Sequence, residues 1–132
     1  MTMGFFSRLA SRCEAANSLL CVGLDPHVGQ LEAPTAEAAR DFCLRLVEAT
    51  QDSAAAYKPN AAFFERFGAP GFAALAEVIA AIPVDIPVVL DAKRGDISST
   101  AQAYADAAFR ALGAHCCTIN AYLGYDAVAP FV

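Results

Sequence analysis

Four short apolar runs alternate with longer runs of helical periodicity, and each short run ends in polar residues. No other feature of the sequence constrains the fold as much. The short runs span residues 19–24, 54–58, 88–93 and 116–120. Apolar runs of this length bounded by turn residues read as buried strands. Strands that alternate with helices form a parallel sheet, because each crossover helix must pack back onto a sheet face. The polar endings are Asp25, Lys58 with Asn60, Asp91 with Lys93, and Asn120. Polar residues at the C-terminal ends of successive parallel strands are where a (β/α)8 barrel builds its site. Such a barrel takes eight strands and about 250 residues. With 132 residues and four strands, the expected fold is α/β, the N-terminal half of a TIM (β/α)8 barrel made of four βα units. Residues 1–132 are read as one domain, truncated at the C-terminal side. No GxGxxG follows the first strand, which argues against a dinucleotide-binding sheet.

The helical runs support this order. Residues 35–50 place Ala39, Phe42, Cys43, Leu46 and Val47 on one face, with Thr35 as N-cap and Glu37 in the first turn. A second helix opens near Pro70, an acceptable first helical residue, and is expected to bury Phe72, Leu75, Ala76 and Ile79. A third begins near Ser99. Ser99 and Gln102 have capping-box spacing, Ala101, Tyr104, Ala105, Ala108 and Leu112 form the buried face, and Gly113 closes the helix. A fourth is expected after Gly124.

Composition narrows the function. The chain is 57% hydrophobic with net charge −5, so it has no general pull on nucleic acid or an anionic membrane. Any phosphate must be held by a few placed groups. The five cysteines (13, 21, 43, 116 and 117) fit no zinc spacing. They read as small hydrophobes of a reduced, cytoplasmic protein. The longest apolar stretch, 72–84, is interrupted by Glu77 and Pro83 and is too short to span a bilayer. His27 and His115 lack acidic or cysteine neighbours at metal spacing and read as surface or packing residues. Tyr104 and Tyr122 read as packing.

The chemistry concentrates in residues 91–104, DAKRGDISSTAQAY. Strand alternation points Asp91 and Lys93 to one face, with Ala92 turned away. Two charges on a buried strand are costly unless they pair or work. Gly95 turns the chain, Asp96 follows, and Lys58 ends the neighbouring strand.

This run resembles the signature of the orotidine 5′-monophosphate decarboxylases, TIM-barrel enzymes. The segments CVGLDP (21–26), YKPNAAFFERFG (57–68) and INAYLGYDAVAPFV (119–132) resemble the longer bacterial branch, with Ala121 where that branch has Pro. The resemblance implies that Lys93, Asp91, Asp96 and Lys58 are catalytic. It makes Lys93 the proton donor to C6 of the pyrimidine and has Asp96 reach the partner's site in a homodimer. It also implies that Asp25 contacts the ribose, that Thr100 reaches the partner's ligand, and that Ile97 lies against the pyrimidine. The substrate would be orotidine 5′-monophosphate, with no cofactor and no metal. The family's phosphate-gripping groups come from later strands, so the expectation for these residues alone is inactivity. Magnesium-dependent sugar-phosphate decarboxylases and synthases of the same superfamily share Asp-x-Lys-x-x-Asp. The Arg94-Gly95 and Thr100-Ala101 pairs favour the orotidine enzyme.

Overall fold

The computed structural model describes residues 4–132. Helix α1 (Phe5–Ala16) leads into strand β1 (Leu20–Leu24). Then follow α2 (Ala36–Thr50), β2 (Ala54–Pro59), a short α3 (Ala61–Glu65), α4 (Ala69–Ala81) and β3 (Val89–Arg94). Helix α5 (Ser98–Asp106) runs on into a π-helical turn over Ala107–Ala111, and β4 (Cys116–Ile119) is followed by the short α6 (Tyr125–Val128). β1 pairs with β2 and β3 with β4, all in parallel. Two parallel bridges, Tyr57 to Val88 and Asn60 to Asp91, join β2 to β3. The strands therefore lie in the order β1-β2-β3-β4, the sequential arrangement of one half of a barrel wall.

Burial explains the layers. β2 is buried along almost its whole length, as expected of a strand covered on both faces. Leu24, Tyr57, Leu75, Val78, Ile86 and Val88 are core residues at or below 2% exposure. The Tyr57 hydroxyl donates to the Val47 carbonyl (3.1 Å) and meets Thr50 Oγ1 at 2.7 Å, which fixes α2 against β2. Thr35 caps α2 as its sequence indicates, accepting from the Ala38 amide. Cys43 lies on the buried face of α2, and burial, helped by nearby Asp25, pushes its thiol up to about 12.

Several details depart from the sequence reading. α1 and α3 were not anticipated. α1 is tied down mainly by Arg12, which donates to the carbonyls of Ala54 (2.9 Å) and Gln51 (2.5 Å) and pairs with Asp85 (2.7 Å). α4 buries Gly71, Ala74, Leu75, Val78 and Ile79, while Phe72 is 46% exposed and Ala76 only partly covered. Its face is set by Gly71, which lets the helix start press onto α3. A Cβ there would lie 1.8 Å from the Phe64 carbonyl oxygen. The Ser99–Gln102 capping box does not form. Ile97 occupies the N-cap position, the Asp96 carboxylate takes the Ile97 amide (2.7 Å), and Gln102 donates to Asp106 instead. Gly113 does close the helical segment, at φ 72°. His27 packs edge-on against Phe63, and His115 Nδ1 accepts from the Val88 amide, both structural roles. Tyr122, expected to pack, is 92% exposed.

Gly71→Ala is expected to lower stability by about 1–3 kcal/mol, the usual cost of overpacking. A urea unfolding midpoint equal to that of the wild type would show that the α3–α4 contact yields freely.

Candidate active site

The C-terminal ends of the strands meet on one side of the sheet. The register that sets Gly23 beside Lys58, and the bridge from Asn60 to Asp91, bring the ends of β1, β2 and β3 together. Asp91 is 8% exposed and is the buried charged residue of the core. Both of its oxygens are used. Oδ1 takes Lys93 Nζ at 2.5 Å and the Thr118 hydroxyl at 2.8 Å, and Oδ2 takes Lys58 Nζ at 3.1 Å. A buried carboxylate without partners would be driven towards its neutral form. Here Lys93 foremost, with Thr118 and Lys58, outweighs burial and holds the Asp91 carboxyl down at about 2. The centre carries two ammonium groups on one carboxylate, a local charge of +1 within an acidic chain. Lys93 is its accessible member, with a side chain 70% exposed against 35% for Lys58.

Lys93 does not reach Asp91 by simple strand alternation. The pairing of β3 with β4 shifts register between Leu90 and Arg94, and Lys93 sits at φ 48°, in the left-handed region. Such a backbone costs a non-glycine residue on the order of 1–3 kcal/mol and persists only where its surroundings enforce it. The bulge turns Lys93 back over Asp91 while Arg94 resumes pairing with Ile119.

The remaining sequence-predicted residues fall into two groups. Asp25 follows β1 at the same end of the sheet, and its Oδ1 is buried with no hydrogen-bond partner among the described residues. A buried unpaired carboxylate oxygen is costly, so this atom is poised for a donor. Asp96, Ile97 and Thr100 lie past the bulge, at the start of α5. Asp96 bonds the Ile97 amide and makes no hydrogen bond or ion pair with the Lys58–Asp91–Lys93 array, and Ile97 is 68% exposed. Within this chain the structure therefore joins Lys58, Asp91 and Lys93 and leaves Asp96 apart.

Two supporting residues, Thr118 and Glu65, went unnoticed in the sequence. Thr118 faces Asp91 from β4, and its position two residues before Asn120 on a strand was the available signal. Glu65 on α3 pairs with Arg94, whose guanidinium also lies 4.9 Å over the Tyr104 ring. These contacts lock the end of β3 to α3 and α5. Gly95 is required by space, since a Cβ there would come within 2.6 Å of the Asn120 carbonyl oxygen.

Residues 18–132 match the family described as Orotidine 5'-phosphate decarboxylase / HUMPS family, and the chain belongs to it. It is 48% identical over 131 residues to the orotidine 5'-phosphate decarboxylase of Herpetosiphon aurantiacus, covering 97% of this chain and 49% of that protein. Among solved structures it resembles a putative orotidine-monophosphate-decarboxylase from Toxoplasma gondii, with TM-score 0.95, 56% identity, and coverage of 97% of this chain and 44% of the other. It also resembles Leishmania donovani UMP synthase, with TM-score 0.89, 57% identity, and coverage of 98% and 28%. The fold is thus half of a TIM barrel, and the chain spans about half the length of the curated relatives it matches.

The depressed Asp91 carboxyl has a direct consequence for pH. Its pairing contributes stability in full above the ordinary value of 3.8 and loses it as pH falls through about 2. The stability difference between wild type and Asp91→Asn is expected to be largest above pH 4 and to shrink towards pH 2, about the folded-state value. Urea titrations across that range would refute the pairing if the difference stayed constant.

Proposed function

We propose that the Lys58–Asp91–Lys93 centre decarboxylates orotidine 5′-monophosphate to uridine 5′-monophosphate, the closing step of pyrimidine nucleotide synthesis, without a cofactor. The observation that carries this reading is a half-exposed-to-open ammonium pair held on one buried, ionised carboxylate at the strand ends. Loss of CO2 leaves an electron pair at C6 of the pyrimidine. In this reading the Lys93 ammonium stabilises that charge as it develops and then delivers its proton to C6. Asp91, ionised throughout the physiological range, keeps a fixed counter-charge beside Lys93. It also disfavours the substrate carboxylate beside it, a repulsion relieved as CO2 departs. Asp25 would take a ribose hydroxyl on its unpartnered oxygen.

In the same reading Asp96 and Thr100 serve the site of a second copy in a homodimer, and Ile97 lies against the pyrimidine. Asp96 and Ile97 immediately precede α5, Thr100 lies in its first turn, and none of the three hydrogen-bonds to the Lys58–Asp91–Lys93 array of its own chain, which supports that reading. The free cysteines suit a reducing cytoplasm. No helix among the described residues is long and apolar enough to cross a membrane.

A second reading concerns the 132 residues on their own. Among the described residues β1 and β4 each pair on one side only, and relatives are about twice as long. Turnover then requires a further set of strands to close the barrel and supply the phosphate grip.

The test is decarboxylation of orotidine 5′-monophosphate by the chain, alone and mixed with the C-terminal half of a relative, in EDTA. Turnover in EDTA that Lys93→Ala lowers by at least about a thousandfold, a general-acid and electrostatic contribution combined, supports the proposal. Turnover that EDTA abolishes points to the magnesium-dependent relatives instead.

A further inference from the structure

Thr118 is an uncharged side chain that meets the centre at both Asp91 and the backbone of Lys93. Its hydroxyl donates to Asp91 Oδ1 (2.8 Å) and accepts from the amides of Ala92 and Lys93, each at 3.0 Å. A hydroxyl has one hydrogen and two lone pairs, so its capacity is full. The two amides belong to the segment where β3 slips register against β4. The second of them is the amide of the left-handed Lys93. A bulge leaves its extra residue without a ladder partner, and here a side chain from the facing strand supplies one.

We propose that Thr118 is a positioning residue for the decarboxylation, acting through Lys93 and Asp91 rather than on substrate. Its two accepted hydrogen bonds hold Lys93 in the left-handed backbone that turns the ammonium over Asp91. Its donated bond fixes which way the carboxylate faces and leaves Oδ2 to Lys58. The proposal rests on the reading that Lys93 acts on the substrate, but its structural half can be tested apart from turnover.

Valine matches threonine in shape and lacks the hydroxyl, so it is not a conservative change here. Thr118→Val strands two amides and removes one donor from a buried carboxylate. Thr118→Ser keeps all three bonds. Two measurements separate the outcomes. The first is the titration of the Asp91 carboxyl carbon by NMR in the 132-residue chain, which needs no catalysis. The expectation is a midpoint near 2 in the wild type, a higher one in Thr118→Val, and return to the wild-type value in Thr118→Ser. The second is kcat and KM for orotidine 5′-monophosphate in whichever assembly turns over. Loss of a hydrogen bond to a charged group corresponds to about tenfold or more in kcat, with KM little changed and Thr118→Ser restoring the rate. If Thr118→Val does not fold, Thr118→Ala against Thr118→Ser makes the same comparison.

An unmoved Asp91 midpoint in Thr118→Val overturns the proposal. So does a shifted midpoint accompanied by wild-type kcat. A shifted midpoint with no decarboxylation by the wild type in any assembly leaves Thr118 as the organiser of the charged centre and removes the functional reading instead.

Discussion

Asp91 is the point on which the arrangement turns. A carboxylate that is 8% exposed is tolerable only because two ammonium groups and a hydroxyl meet it from three strands. Lys58 comes from β2, Lys93 from the bulge in β3, and Thr118 from β4. If any of these strands shifted by one residue, its side chain would point to the other face. The charged centre is therefore also a check on register. The same contacts that hold Asp91 ionised hold β2, β3 and β4 in their relative positions at the mouth of the half-barrel. The bridge between Asn60 and Asp91, where β2 and β3 otherwise pair sparsely, lies at this point.

Much of the fold was legible because strands and crossover helices leave separate periodic traces. The four strands appear within a residue or so of their expected ends, and Thr35 opens α2 and Gly113 closes the helical segment after α5 as their chemistry suggests. What was not legible depended on contacts distant in sequence. α1 has no periodic stripe that names its partner, and Arg12 finds Ala54, Gln51 and Asp85 only in the folded chain. Phe72 has the spacing of a buried face, but Gly71 rotates the contact so that Gly71 and Leu75 are covered and Phe72 is not. Ser99 has no capping role because α5 starts at Ser98, which puts Ser99 inside the first turn and Ile97 at the N-cap.

The site shows the same division. Lys58, Asp91 and Lys93 were identifiable as residues, and they do meet. The route was not identifiable, since strand alternation predicts a flat strand where the structure has a left-handed residue. Asp96 was grouped with them by spacing and family resemblance, and within one chain it stands aside. Asp25 is the reverse case. A strand-ending Asp-Pro is an ordinary turn signal; the family resemblance singled Asp25 out, and the structure adds a buried oxygen with no hydrogen-bond partner among the described residues.

The bridge from Thr118 to Lys93 spans 25 residues of sequence, and it bears on the order in which the chain becomes competent. Every charged member of the centre precedes residue 94, so a growing chain holds all of them well before β4 exists. Without β4, the Lys93 amide lacks the acceptor that holds its unusual backbone, and an extended strand is the cheaper state. Long-range contacts of this kind form late, after loop closure. The geometry of the charged centre thus matures only when β4 docks, and an emerging polypeptide carries its lysines in a relaxed, unassembled form until then.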